Sequence, residues 1–349
     1  MNIIFNKIEE HHKRNSPFVA YRKPNSEQVS GFFMTDITLH FTSQYTEAGF
    51  VFAPFNREEN AVLFPLEKSE FINENILIEE NFSLNDNFKE NINSDKEKHL
   101  HLVEKALDEI NKNELVKVVV SRKEEIQLDK LDILLTFKKL LKTYANAFVY
   151  VWFHPKVGLW FGATPETLLN ITGNSFKTMA LAGTQVYIDS EEVIWKSKEL
   201  EEQQLVTNFI ESQLKPLSTN LKIDKKETVK AGNLLHLRSS VAGELNKSAS
   251  LKALIRGLHP TPAVCGLPRD KAEEFIYQNE NYKRTFYSGF LGELNIENKN
   301  SSLFVNLRCM SIEDKIASIY VGGGITKDSN AKKEWEETVA KTKTIKKVL

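Results

Sequence analysis

The sequence predicts an α+β fold built on antiparallel sheet. Three observations point there. Apolar runs of strand length come in hairpin-like clusters rather than in strict strand-helix alternation, and amphipathic stretches of helical period lie between them. The 349 residues, 41% hydrophobic and 27% charged, are also enough to bury a sizeable core, either as one large domain or as two intimate lobes.

Residues 1 to about 90 mix the short apolar runs GFVFAPF and AVLFPL with charge. They end in ENFSLNDNFKENINSD, a polar, Asn-rich stretch that reads as an exposed connection. Ser94 and Glu97 then form a capping-box pattern, so a helix is expected to begin near Asp95 and continue through HLHLVEKALDEINKN. VKVVVS is β-branched and of strand length, and LDILLTFKKLLKTYA is helical. AFVYVWF and VGLWFGA, split by the turn His154-Pro155-Lys156, read as a hairpin. FKTMALAGT is another strand, and SEEVIWKSKELEEQQLVTNFIESQL a long amphipathic helix. The last third brings helical LKALIRGL, the Pro-rich turn HPTPAVCGLP, and helical DKAEEFIYQ, whose Asp270 and Lys271 mark its start. Paired strands around SLFVNLRCMSI and IASIYVGGGI follow, then the closing helix SNAKKEWEETVAKTKTIKKVL.

Charge and composition narrow the function. The 46 basic and 47 acidic side chains are interspersed, so no broad positive field exists to collect a phosphate backbone, and nucleic acid is not expected as a partner. Cys265 and Cys309 lack metal-ligand spacing and fit a reducing compartment as buried apolar side chains. The first residues are too briefly apolar for a signal peptide, and no window approaches the ~18 apolar residues of a membrane helix. A cytoplasmic monomer is expected.

Several residues could carry chemistry. Glu334, Glu337 and Lys341 fall on one face of the closing helix, either as a solvated face with a salt bridge or as a functional cluster. Gly322 to Gly324, just before it, admit close approach of backbone amides to an anion, or mark a turn or bulge. A second acidic cluster, Glu199, Glu201 and Glu202, lies on the amphipathic helix; one glutamate from each helix would suffice for Mg²⁺, which keeps water and substrate oxygens as its other ligands. Lys117 opens a strand and Glu166 follows one, and each is an ordinary surface charge unless both are buried in one cavity, where they could serve as base and acid. Trp152, Trp160 and Trp335 read as packing residues.

Taken in order, KVVVSR, FGATPETLL, LAGT, KELEEQQLV, LLHLRSSVAGEL, LHPTPAVCG, YKRTFYSGFLGEL, LFVNLRCM and YVGGGI with EWEETVAK resemble the chorismate-utilising enzymes. These include isochorismate, salicylate, anthranilate and aminodeoxychorismate synthases. The resemblance covers about residues 95 to 349 and implies a single chorismate-binding domain of two lobes. Residues 1 to 93 form its variable part and 94 to 349 its catalytic core. Antiparallel sheets would pack together with helices outside. It further implies Mg²⁺ held by Glu202 and Glu337, with Glu334 beside them. Arg308 and the amides of Gly322 and Gly324 would grip a side-chain carboxylate, with Tyr287 and Lys341 nearby. Gly183, Thr184, His236 and Ala263 would line the ring pocket.

Within that family, the ammonia-using members resemble QVVLSR where this chain has Lys117, and the water-using ones carry lysine. The resemblance therefore implies Lys117 as the base that activates water for attack at C2 of chorismate, with Glu166 as the acid that protonates the departing C4 hydroxyl. Ala182 stands where aminodeoxychorismate synthases often have a nucleophilic lysine, and Ala263 where the anthranilate branch has threonine. The expected product is isochorismate, feeding menaquinone or siderophore synthesis, and no glutamine amidotransferase partner is expected. Salicylate synthase, which goes on to eliminate pyruvate, is the nearest alternative, and a metabolite-binding module of the same fold is the non-enzymatic one. Gln203, where many relatives have histidine, and Thr285, where glycine is common, depart from the pattern.

Overall fold

In the computed structural model, which describes residues 2–80, 82–84, 93–187, 193–231 and 234–349, the strands form two antiparallel sheets. The nine-stranded sheet runs, edge to edge, Gly266–Leu267, Lys117–Gln127, Ile316–Ile325, Cys309–Glu313, Gly158–Thr164, Phe148–His154, Phe18–Arg22, Gln28–Met34 and Ser69–Asn75. The second runs Ser218–Ile223, Leu234–Leu245, Ser175–Val186, Thr167–Thr172, Asn300–Val305, Phe290–Asn295, Gly49–Ala53, Ala61–Pro65 and His40–Thr42, with Glu227–Ala231 also paired to Leu234–Leu245.

The side-chain alternation of the strands builds the layers. Val19 and Tyr21, with Phe148, Tyr150 and Trp152, point between the sheets, where they meet Phe50, Phe52, Leu291 and Phe304 of the other sheet. The intervening Phe18, Ala20, Val149 and Val151 face outward and are covered by the helices Ile3–Lys13 and Ile133–Thr143. The outer face of the second sheet is covered in the same way by Ser197–Leu214 and Leu251–Leu258, through Val206, Ile210, Leu254 and Ile255. A smaller core packs Asn93–Asn111 and Arg269–Asn279 against the start of Lys117–Gln127. The α+β fold with helices outside a pair of packed antiparallel sheets is therefore as the sequence predicts.

Local elements follow their signals, with three corrections. Asp132 and Asn330 cap the helices Ile133–Thr143 and Ala331–Lys346, accepting from the amides of Leu135 and Lys333. The first correction concerns the helix expected from Asp95, which starts at Asn93; the Ser94 side chain, and with it the capping box, lies outside the described side chains. Second, the amphipathic helix begins only at Ser197, where the Lys196 amide donates to Glu199 Oε2 at 3.0 Å; residues 193–196 are not helical. Third, SLFVNLRCMSI is not one strand. Asn300–Val305 belongs to one sheet and Cys309–Glu313 to the other, and the chain crosses between them at Asn306–Arg308. Much of ENFSLNDNFKENINSD lies outside the described residues.

Candidate active site

Two crossovers between the sheets lie side by side. Pro165 and Glu166 link Gly158–Thr164 to Thr167–Thr172, and Asn306–Arg308 links the strands just described. The Val305 amide donates to the Glu166 carbonyl and the Ala163 amide to the Arg308 carbonyl, both at 3.0 Å, which ties the crossovers together. Arg308 has a φ of 47°, a left-handed conformation costly for a side chain of this size and held here by the crossover. Both side chains line one cavity of about 130 Å³.

The cavity gathers nearly every residue singled out from sequence. Gly183, Thr184, His236, Ala263, Tyr287, Arg308, Gly322, Gly324 and Lys341 line it, with Glu166, Ala182, Glu202, Glu334 and Glu337. Gly183 sits at a bulge with φ of 74°, and its carbonyl accepts from His236 Nδ1 at 3.0 Å. Because a carbonyl only accepts, Nδ1 carries the proton, and burial, aided by Arg308 and Lys341, lowers the His236 pKa to about 4. The ring is neutral.

Lys117 is the exception in position. It is fully buried and lies behind the lining, with Nζ 2.7 Å from Glu202 Oε1. Its backbone is pinned by the short strand Gly266–Leu267, where Leu267 pairs with Lys117. A Cβ on Gly266 would stand 2.3 Å from the Lys117 carbonyl, so this contact admits only glycine. Behind the same strand, Arg284 donates to the carbonyls of Val119 and Val264 and pairs with Glu280, which accepts from Ser121. Arg284 was not anticipated from sequence; YKRTFYSG gave it no signal beyond a charge beside aromatics. At Thr285, φ is 48°, in the left-handed region that favours glycine.

The glycine run is neither a turn nor a bulge but regular strand, paired with Val119 to Ser121. The Gly322 carbonyl accepts from Lys341 Nζ at 3.0 Å, on the edge away from Lys117–Gln127. In an antiparallel strand the amide and carbonyl of one residue share an edge and alternate with the next, so the Gly322 and Gly324 amides face that same cavity edge.

Three carboxylates of the site, those of Glu202, Glu334 and Glu337, each meet a lysine. Besides Lys117 with Glu202, Lys198 pairs with Glu334 at 2.8 Å and Lys341 with Glu337 at 2.5 Å. Lys198 was missed from sequence, although its spacing of four from Glu202 on one helix was the available clue. Burial acts to raise the Glu337 carboxyl, but Lys341, Lys198 and Arg308 outweigh it and hold the pKa below the usual range. Burial and the neighbouring Glu337 raise Glu334 despite Lys198. Burial raises Glu166 to about 7, only partly offset by Lys117 and Arg308, so it keeps a proton near neutrality. Glu199 also lines the cavity, whereas Glu201 is absent from the lining, and Gln203 turns into the core, donating to Thr207 and Ser239.

For a hard cation the available donors are Glu202, Glu334 and Glu337. Among the described residues, no three potential ligands converge on a single point. Two carboxylates suffice for Mg²⁺, however, and Lys198, which pairs with Glu334 and is also acted on by Glu202 and Glu337, puts all three carboxylates around one positive charge. The donor set fits such an ion. Among the described residues, no helix is long and apolar enough to cross a membrane.

The family profile for chorismate-binding enzymes matches residues 48–349, reaching further toward the N-terminus than the motifs do. Isochorismate synthase DhbC of Bacillus subtilis is 31% identical over 53% of this chain and 48% of its own length. Isochorismate synthase MenF of the same organism is 29% identical over 71% of this chain and 55% of its own. The chain thus spans about half the length of these curated relatives. Among solved structures, the menaquinone-specific isochorismate synthase MenF of Escherichia coli superposes with a TM-score of 0.81 at 21% identity, over 95% of this chain and 88% of that one. On its sequence, its sheets and its profile match, the chain belongs to the chorismate-binding enzyme family.

Proposed function

We propose that the chain is an isochorismate synthase that hydrates chorismate with the help of Mg²⁺. The observation that supports this most is the pair of proton-transfer groups at one cavity: Lys117 buried behind Gly324 and Glu202, and Glu166 on the crossover with its carboxyl raised to about 7. In this reading water adds its oxygen to C2 as Lys117 takes the proton, the ring double bond shifts, and the C4 hydroxyl leaves as water with the proton of Glu166. Arg308 and the Gly322 and Gly324 amides hold the side-chain carboxylate, and neutral His236 lines the ring pocket. Glu202, Glu334 and Glu337 would hold the ion, which when bound neutralises the ring carboxylate and draws electron density away from C2. Ala182 offers no nucleophile for a covalent amine intermediate.

Lys117→Gln tests the assignment, because an amide still donates to Glu202 but cannot take a proton. Turnover of chorismate should fall by at least about 10²-fold, the usual worth of general acid-base catalysis, with chorismate binding retained. A variant that still turns over at wild-type rate would overturn the role of Lys117.

A further inference from the structure

A second cavity, of about 880 Å³, lies beside the first and shares Pro165, Leu181, His236 and Arg308 with it. Its charged lining among the described residues is Lys230, Arg238, Arg308, Lys343 and Lys347, all cationic. The fold sets these cations in line with the catalytic cavity. His236 and Arg238 alternate by two on one strand and so share a face. Lys343 and Lys347 stand four apart at the end of the helix whose earlier turns carry Glu334, Glu337 and Lys341. Arg238 is partly committed to Glu227, and Lys230 lies 3.3 Å from the centre of the Tyr187 ring. Lys343 and Lys347 have no side-chain ion pair among the described residues.

We infer that this second cavity is an electropositive vestibule that collects a dianionic ring dicarboxylate and passes it to Arg308 and His236. The inference rests on the proposed reading of the reaction, in which substrate and product both carry two carboxylates. A cavity lined by one sign of charge and walled by low-dielectric protein raises the local concentration of its counter-ion and its rate of arrival. Net charge on the whole chain is only −1, so this local field is a property of where the cations are placed, not of the composition.

The test removes two charges that touch neither the reacting atoms nor the assigned metal ligands. Lys343→Gln/Lys347→Gln should lower kcat/KM for chorismate on the order of tenfold at 10 mM salt and about threefold at 150 mM, with kcat unchanged, and the difference should vanish by about 500 mM. The charge-matched control Lys13→Gln/Lys252→Gln, whose lysines line neither cavity, should behave as wild type. Equal kcat/KM in the double variant and wild type at low salt, or a deficit that persists at high salt, overturns the vestibule. If wild type leaves chorismate intact, the reading of the reaction fails instead. The vestibule is then judged by calorimetric titration of isophthalate, whose affinity should drop in Lys343→Gln/Lys347→Gln; equal affinities overturn it.

Discussion

One methyl group added at Gly324 should disable the site while leaving the fold standing. Gly324 lies in regular strand and is not among the glycines of positive φ, so its backbone accommodates alanine. The new Cβ would stand 2.8 Å from Glu202 Oε1 and 3.0 Å from Lys117 Cε. Ordinary C···O contacts are about 3.3–3.6 Å, so the carboxylate must retreat by roughly 0.5 Å and carry its 2.7 Å bond to Lys117 with it. The displaced atoms are side-chain ends, which puts the stability cost near the low end of overpacking, about 1 kcal/mol, or roughly 2 °C in Tm. Catalysis is far less forgiving: a misplacement of about 1 Å costs on the order of 10²-fold, so Gly324→Ala should lose about 10- to 100-fold in kcat/KM. Gly323→Ala is the matched control, because its Cβ would meet only Glu334 Oε2 at an ordinary 3.4 Å, and it should stay within about threefold. Steady-state loss of chorismate and a thermal melt read the two variants. Wild-type kcat/KM in Gly324→Ala, or an equal loss in Gly323→Ala, would refute the reasoning.

Two further predictions concern protons. Glu166 holds its proton up to about 7 in the folded chain against 4.5 for an ordinary solvated glutamate, so folding stability falls as pH rises across that window. Glu166→Gln escapes this and should gain on the order of 3 kcal/mol relative to wild type between pH 4 and 8 in denaturant titrations, while losing turnover; a pH-independent difference would contradict it. His99 behaves oppositely: buried against Trp335, with Arg122 adding to the effect of burial, its pKa drops to about 4 from 6.5, so the unfolded chain binds the extra proton and stability is lost as pH falls through that range. His99→Leu should flatten the acid limb of the stability profile, and an acid limb identical to wild type would count against it.

Elements with an uninterrupted local signal were legible from sequence. The hairpin Phe148–His154 with Gly158–Thr164 announces itself by two apolar runs about a short turn, and Ala331–Lys346 by the three- and four-residue spacing of Glu334, Glu337 and Lys341. The N-terminal strands were not, because their partners are remote: Ala20 pairs with Val151, and Val51 with Gly292. Both faces of Phe18–Arg22 are buried, which erases the alternation that would have marked it as strand. Individual site residues came through the ordered motifs rather than through spacing. Glu334, Glu337 and Lys341 look the same on a solvated helix as on this one, where Glu334 is 3% exposed. Lys117 carries no local mark of burial either, since the residues that enclose it come from Gly266–Leu267, the glycine run and Glu202, between 85 and 207 positions away. The split of SLFVNLRCMSI into two sheets was likewise invisible locally, yet it is what delivers Arg308 to the cavity.

The most direct test of the proposed reaction is to incubate purified protein with chorismate and Mg²⁺ and to separate the products by chromatography, repeating the run with EDTA and with added ammonium. Isochorismate as the sole product, lost on chelation and unaffected by ammonium, is the expected result. Salicylate with pyruvate, an aminated product, or chorismate left intact would contradict it.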